Sequence, residues 1–233
     1  MGKCIAVIGA GGKTTAVRQL AQSKKDSRVL LTTTTHMQAI HPPESRVFLD
    51  DPAPQQLLCA LEQPGIVSAG VLIGADKISS PEPTLLQQAA AAADYTFCEA
   101  DGARCCSLKL HRSYEPVVPA WADGCLIVAG LTALGRPVCE AVHRYALNPV
   151  WEKEPNHPVG TEDVLYCLRE AAAAVAPLGV PVYIFLNQAD AVPARPVQIL
   201  LDALTEEGFF ARAGSLQQDK TLLARWLLDG ERV

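Results

Sequence analysis

Short runs of uninterrupted apolar residues recur along the chain, and nearly every one is followed by a stretch with helical spacing. "KCIAVIGA", "RVLLTTTT", "VSAGVLIGA", "YTFCEADGA", "DGCLIVAG" and "VPVYIFLNQAD" are such runs. A strand that is apolar on both faces has to be covered on both faces, which is the condition of a buried parallel sheet. The intervening segments supply the cover. "KTTAVRQLAQSKK" places Val17, Leu20 and Ala21 at helical spacing, and "QQLLCALEQ", "PEPTLLQQAAAAADY", "TEDVLYCLREAAAAVAPLG", "PARPVQILLDALTEEG" and "DKTLLARWLLDG" read as further helices. "FFARAGSL" is a candidate last strand. Thr161 is expected to cap the helix that it opens, with acids in the first turn and Gly179 as its stop. The expectation is a three-layer α/β fold with a mostly parallel sheet and helices on both faces.

Composition agrees. Of 233 residues, 49% are apolar but only 6% aromatic, so Ala, Leu and Val carry the core, as suits helices packed on a sheet. There is no internal repeat, low-complexity linker or compositional break, and 1–233 is expected to form a single domain. The proline-rich stretches at 42–54 and 148–158 read as loops, the second long and polar enough to be a lid. The formal charge of −5 is spread over interspersed signs with no basic run, which argues against nucleic acid. No apolar stretch approaches the length of a membrane span, and the N-terminus enters a strand directly. None of the eight cysteines forms a C-x-x-C pair, and several lie inside apolar runs as buried thiols. These features set the expectation of a reduced, cytoplasmic protein. Cys105-Cys106 stands apart as a vicinal pair in a loop, where packing or exposure competes with a soft-metal or redox role.

The first strand runs into "VIGAGGKTTAV". Strand, glycines, lysine, hydroxyl and helix is the order that wraps backbone N–H groups around phosphate at a helix N-terminus. The usual pattern has a glycine four residues before Gly-Lys-Ser/Thr; here Val7 takes that place. Gly9, Ala10, Gly11 and Gly12 would form the wrap. Lys13 would reach the outer phosphates, Thr14 would ligate Mg²⁺, and Thr15 would touch the α-phosphate. A glycine-rich turn that only joins strand to helix is the alternative.

Further candidates close other strands. Glu99 and Asp101 alternate at the end of "YTFCEAD", so both are expected to point the same way into the crevice beyond the strand ends, as Mg²⁺ or water-positioning carboxylates. A solvated strand end is the other reading. Thr34 and Thr35 of "TTTTHM" could meet phosphate or the metal's water shell, as could Asp76 and Lys77, while His36 reads as a loop residue. "LNQAD" is similar to the base-reading loop of GTPases, with Gln188 in place of the stacking lysine. Asp190 would accept guanine N1–H and N2–H, and Asn187 would brace the loop and read N7, unless the segment is an ordinary strand-to-helix turn.

Taken in order, "GAGGKTT", "LLTTTTHM", "LIGADK", "CEADGARCCSLKLHRSYEPVVP", "GLTALGRPV" and "LNQAD" resemble the YqeC-type family, P-loop-like proteins assigned as accessory factors of selenium-dependent molybdenum hydroxylases. The most specific stretch is Glu99 to Ala103, then Lys109, then Glu115 to Pro119. The resemblance implies a P-loop-NTPase-like nucleotide-binding protein that acts with a molybdenum hydroxylase or a cofactor-maturation protein. Arg104, Lys109 and Arg112 lie in the distinctive segment, either touching phosphate or cofactor or forming a solvated basic loop. The expected ligand is GTP or ATP with Mg²⁺, with GTP slightly favoured, and the expected activity is hydrolysis. A phosphoryl or nucleotidyl transferase acting on a molybdenum-cofactor or selenium-containing acceptor, and a nucleotide-gated scaffold, are the alternatives. Lys13, Glu99 and Asp101 are the expected catalytic residues, and Thr14, Glu99 and Asp101 the metal ligands.

Overall fold

The computed structural model describes residues 2–230. In its first half the chain runs β1 (Lys3–Gly9), α1 (Lys13–Ser23), β2 (Arg28–Thr33), β3 (His36–Gln38), β4 (Val47–Asp50), α2 (Pro54–Ala60), β5 (Gly65–Leu72), β6 (Lys77–Ser79), α3 (Pro83–Ala92) and β7 (Tyr95–Glu99). The second half runs β8 (Leu108–Lys109), β9 (Gly124–Gly130), α4 (Val138–Ala141), β10 (Val142–His143), α5 (Pro149–Lys153), α6 (Thr161–Val175), β11 (Val182–Asn187), α7 (Ala194–Glu206), β12 (Phe210–Ala213) and α8 (Leu222–Leu227).

Ten of these strands form one sheet, in the order β12-β11-β9-β1-β7-β2-β5-β6-β3, with β4 also pairing with β5. Every pair from β12 to β5, and β4 with β5, is parallel; only β5–β6 and β6–β3 are antiparallel. Successive residues of the central strands face opposite layers. Ile5 and Val7 pack with Val17 and Leu20 of α1 and Leu223 and Leu227 of α8. Cys4, Ala6 and Ile8 pack on the other face with Val164, Leu168 and Ala171 of α6 and Leu200 of α7. Further along that second face, Leu30, Val67 and Ala69 meet α2 and α3 through Leu57, Leu86 and Ala89. Burial on both faces explains why the strands read as unbroken apolar runs.

The strand order fixes where a ligand crevice opens. From β1 the chain crosses to β2, beyond β7, and later returns to β9 on the opposite side of β1. Connections that leave in opposite directions create a crevice above the carboxyl ends, and β1 is that point.

Two local expectations change. Gly160, not Thr161, is the N-cap of α6; its N–H donates to Asp163 Oδ2 at 2.7 Å, and Thr161 is the first helical residue. The polar stretch 148–158 is folded down as well. Asn148 caps α5, Trp151 is buried against the α6-side core, and its ring meets Tyr166 edge-on at 5.4 Å. One buried indole outweighs the polar composition around it.

Candidate functional site

The loop after β1 bends by positive φ at Gly9, Gly11 and Gly12. Gly11 also lies against a second glycine: a Cβ there would stand 2.5 Å from Gly130 Cα. The first loop amides bind protein. Gly9 N–H donates to Asp101 Oδ2 (2.9 Å), Ala10 N–H to Val128 O (2.8 Å) and Gly11 N–H to Cys106 O (3.1 Å). Among the described residues, the amides of Gly12, Lys13, Thr14 and Thr15 have no protein acceptor. They form the open first turn of α1, where the positive end of the helix dipole lies. The glycine-rich segment is therefore an anchored loop ahead of four free donors.

Lys13 is 5% exposed, and its ammonium is held by three oxygens. Gly9 O accepts from it at 2.8 Å, Asp101 Oδ1 is 3.2 Å away and Glu99 Oε1 3.5 Å away. Glu99 Oε2 accepts from Thr14 Oγ1 at 2.9 Å. The structure thus gathers Lys13, Thr14, Glu99 and Asp101, as their sequence positions suggested. Thr15 is exposed.

The two acids have opposite electrostatics. Burial raises the Glu99 carboxyl above its usual range, and Lys13 and Thr14 only partly offset this. Burial would raise Asp101 too, but Lys13, His111 and Lys109 reverse the effect and hold it at about 2. Asp101 has no exposed surface, and its Oδ2 alone meets the Gly9 amide, His111 Nε2 (2.7 Å) and Lys109 Nζ (3.2 Å).

Lys109 carries the network onward. Its buried ammonium also donates to Gly102 O at 2.7 Å and stands 3.0 Å from Glu115 Oε2, so one cation faces three oxygens. Glu115 in turn receives a two-pronged pair from Arg144, one prong at 2.8 Å. Three carboxylates and three cations alternate from Glu99 to Arg144. Lys109 is therefore not part of a solvated basic loop, whereas Arg104 and Arg112 are exposed.

The other candidates are placed less centrally. Thr32 and Thr33 donate to Ala69 O and Glu99 O, and Thr34 Oγ1 donates to Val117 O at 2.6 Å; these hydroxyls bind the sheet and the 115–119 segment. Thr35 Oγ1 is buried and has no hydrogen-bond partner among the described residues. Asp76, Lys77 and His36 are exposed near the short antiparallel strands. Asn187 braces the loop: its Nδ2 donates to Gly11 O at 2.7 Å, and its Oδ1 accepts from Leu216 N–H at 3.1 Å. Both ends of its amide are used by protein. Gln188 is left-handed and accepts from Thr132, while Asp190 is exposed in the 3₁₀ turn that follows.

Sequence reading missed His111, Glu115 and Arg144 as site residues. Glu115 stood in the most specific stretch of the resemblance, but no local spacing marks His111 or Arg144. Their meaning comes from contacts across the fold. On the α6 side, His111 also lines a cleft of about 410 Å³ with Arg112, Tyr114, Leu147, Tyr166 and Glu170.

Fold and site define a mostly parallel α/β protein with a glycine-rich loop, a buried lysine and two acids gathered at the carboxyl edge of its sheet. The chain belongs to the YqeC protein family, whose model matches residues 5–146. It is 35% identical over 147 residues to "Uncharacterized protein YqeC" of Escherichia coli (strain K12), a match covering 61% of this chain and 57% of that protein. The family match ends before Asn187, so it covers the loop and the acids but not the base-reading candidate. Among the described residues no helix is long and apolar enough to cross a membrane.

Proposed function

We propose that the protein binds a nucleoside triphosphate at residues 9–15 and hydrolyses it. The observation that carries this reading is the Lys13 ammonium, buried between Glu99 and Asp101 at the head of a helix whose first amides are free. A polyphosphate can replace those carboxylates as the lysine's partner and accept the free amides.

The oxygen donors at the loop suit Mg²⁺. Thr14 and Glu99 meet at 2.9 Å, and among the described residues no cluster of three His, Cys, Asp or Glu forms a metal cage of its own. That is the pattern for an ion bound by one or two protein oxygens together with phosphate and water. Thr14 would hold it, with Glu99 beside it at the water, and it would neutralise charge on the phosphates. Glu99, whose carboxyl burial pushes up, is the group suited to orient an attacking water. Asp101, fixed as a carboxylate, holds the loop and Lys13 in place. GTP is the preferred nucleotide, with Asp190 accepting the guanine N–H groups. The resemblance of the 99–119 segment supports a role in maturing selenium-dependent molybdenum hydroxylases.

A transferase is the second reading, because the cleft beside His111 has room for an acceptor. Phosphate release without any acceptor supports hydrolysis; idling until an acceptor is supplied supports transfer. Failure of the folded protein to bind any triphosphate in the presence of Mg²⁺ sinks both.

A further inference from the structure

The two oxygens of Asp101 are unequally held. Oδ2 is hydrogen-bonded to the Gly9 amide and His111 Nε2, with Lys109 Nζ 3.2 Å away as an ion partner. Among the described residues Oδ1 accepts no hydrogen bond, and Lys13 Nζ stands 3.2 Å away as its ion partner. Asp101 has no exposed surface, so it cannot turn to water if a partner leaves. A buried carboxylate stripped of its counter-charge is strongly disfavoured, and it would hold its lysine against any competing ligand.

We propose that His111 and Lys109 are positioning residues that make Lys13 exchangeable, by carrying the charge of Asp101 when Lys13 turns to a polyphosphate. This role rests on the phosphate-loop reading above and extends it to residues that touch neither phosphate nor metal. Oδ2 keeps its hydrogen bonds from the Gly9 amide and His111, and Lys109 stands at the same 3.2 Å as Lys13, so the departure of Lys13 removes one of two lysine counter-charges and no hydrogen bond. The carboxylate keeps one lysine, one imidazole N–H and one amide, and its bond to Gly9 keeps the loop in register. Lys109 is itself fixed by Glu115 and Gly102, and Glu115 by Arg144, so the replacement charge cannot drift away. The His111 side chain is 4% exposed, and its second nitrogen is buried without a protein partner. Among the described residues its polar bond is the one to Asp101, and because a carboxylate can only accept, Nε2 donates.

The test uses inorganic tripolyphosphate as the probe, which removes any contribution from a base. Calorimetry compares wild type, His111→Leu and His111→Gln, whose amide N–H reaches the place of Nε2. Loss of one charge-assisted hydrogen bond behind Lys13 is expected to weaken the leucine variant about 10- to 100-fold, with the glutamine variant near wild type. If His111→Leu fails to fold, His111→Asn carries the comparison, since its shorter amide cannot reach Asp101. A second measurement separates positioning from plain structure. In His111→Leu/Asp101→Asn the neutral amide no longer holds Lys13, so affinity should recover relative to His111→Leu alone. Losses that simply add would overturn the proposal. So would unchanged affinity in His111→Leu, or equal weakening by leucine and glutamine. Folded wild-type protein that binds no tripolyphosphate would overturn the phosphate-loop reading and this role with it. Wild-type binding that is indifferent to residue 111 overturns this role alone.

Discussion

Lys13 and Glu99 are neighbours that a substitution should separate by function. Lys13→Ala removes up to three charge-assisted donors to phosphate but leaves Asp101 with Lys109 and His111. The fold should therefore survive, while triphosphate affinity falls about 10- to 100-fold by the usual worth of such a bond. Nucleoside affinity should not move, and calorimetry on both ligands checks the split. Glu99→Gln keeps the shape and can still accept from Thr14, but it cannot take a proton. Hydrolysis is expected to drop by about 10²- to 10⁴-fold, the range for a positioned base, with triphosphate affinity much less changed. Equal losses of binding and turnover would remove Glu99 from the water-orienting role.

At the scale of elements, α1 is a lever whose packing sets the loop at its head. Leu20 is fully buried against β1, β2 and β7, so Leu20→Ala should destabilise by about 2–5 kcal/mol in denaturant unfolding. The small β8–β10 ladder offers a pH test. His143 lies beside Lys109 in that ladder, and burial, then Arg144, Lys109 and Arg104, lower its pKa to about 4. A histidine whose folded pKa is depressed binds fewer protons folded than unfolded between those two values. Its contribution to stability is complete above about 6.5 and is lost as pH falls toward about 4. Unfolding midpoints of wild type should decline across that window, and His143→Asn should flatten the decline; parallel curves would show that His143 is not responsible. Such short ladders had no signature in the sequence. β3, β4, β6, β8 and β10 span two to four residues each and are defined by the partner they meet, whereas the long strands announced themselves by burial on both faces. The cap at Gly160 escaped for a related reason: the bond that defines it runs from a backbone amide to Asp163, and glycine offers no side chain to read.

Across the whole molecule, the loop and its acids were legible because each sits at the end of a strand that the sequence made plain. The order of the sheet then brought residues 13, 14, 99 and 101 together. His111 and Arg144 were not legible, since each matters through a carboxylate 10 or 29 residues away in the chain. The thiols divide by depth. Burial pushes Cys98 up to about 12 and raises Cys4, Cys125 and Cys167 as well, while Cys59 and Cys105 are exposed. A thiol reagent should modify the exposed pair first. Cys105→Ser and Cys106→Ser should keep nucleotide binding, because Cys106 meets the loop through its backbone oxygen. On the proposed reading, base choice falls to the turn after β11. Competition of GTP against ATP should favour GTP in wild type and lose that preference in Asp190→Ala; an ATP preference that survives the change removes Asp190 as the reader.

The bond from Asn187 to Gly11 spans 176 residues. The glycine motif leaves the ribosome well before the side chain that holds it, which emerges only after most of the sheet-forming segments have been made. Leu216, which fixes the other end of that amide, emerges later still. A nascent chain therefore carries the motif long before it carries the brace. Capture of a polyphosphate by the braced loop would mark a chain in which β11 has been made and has joined the sheet.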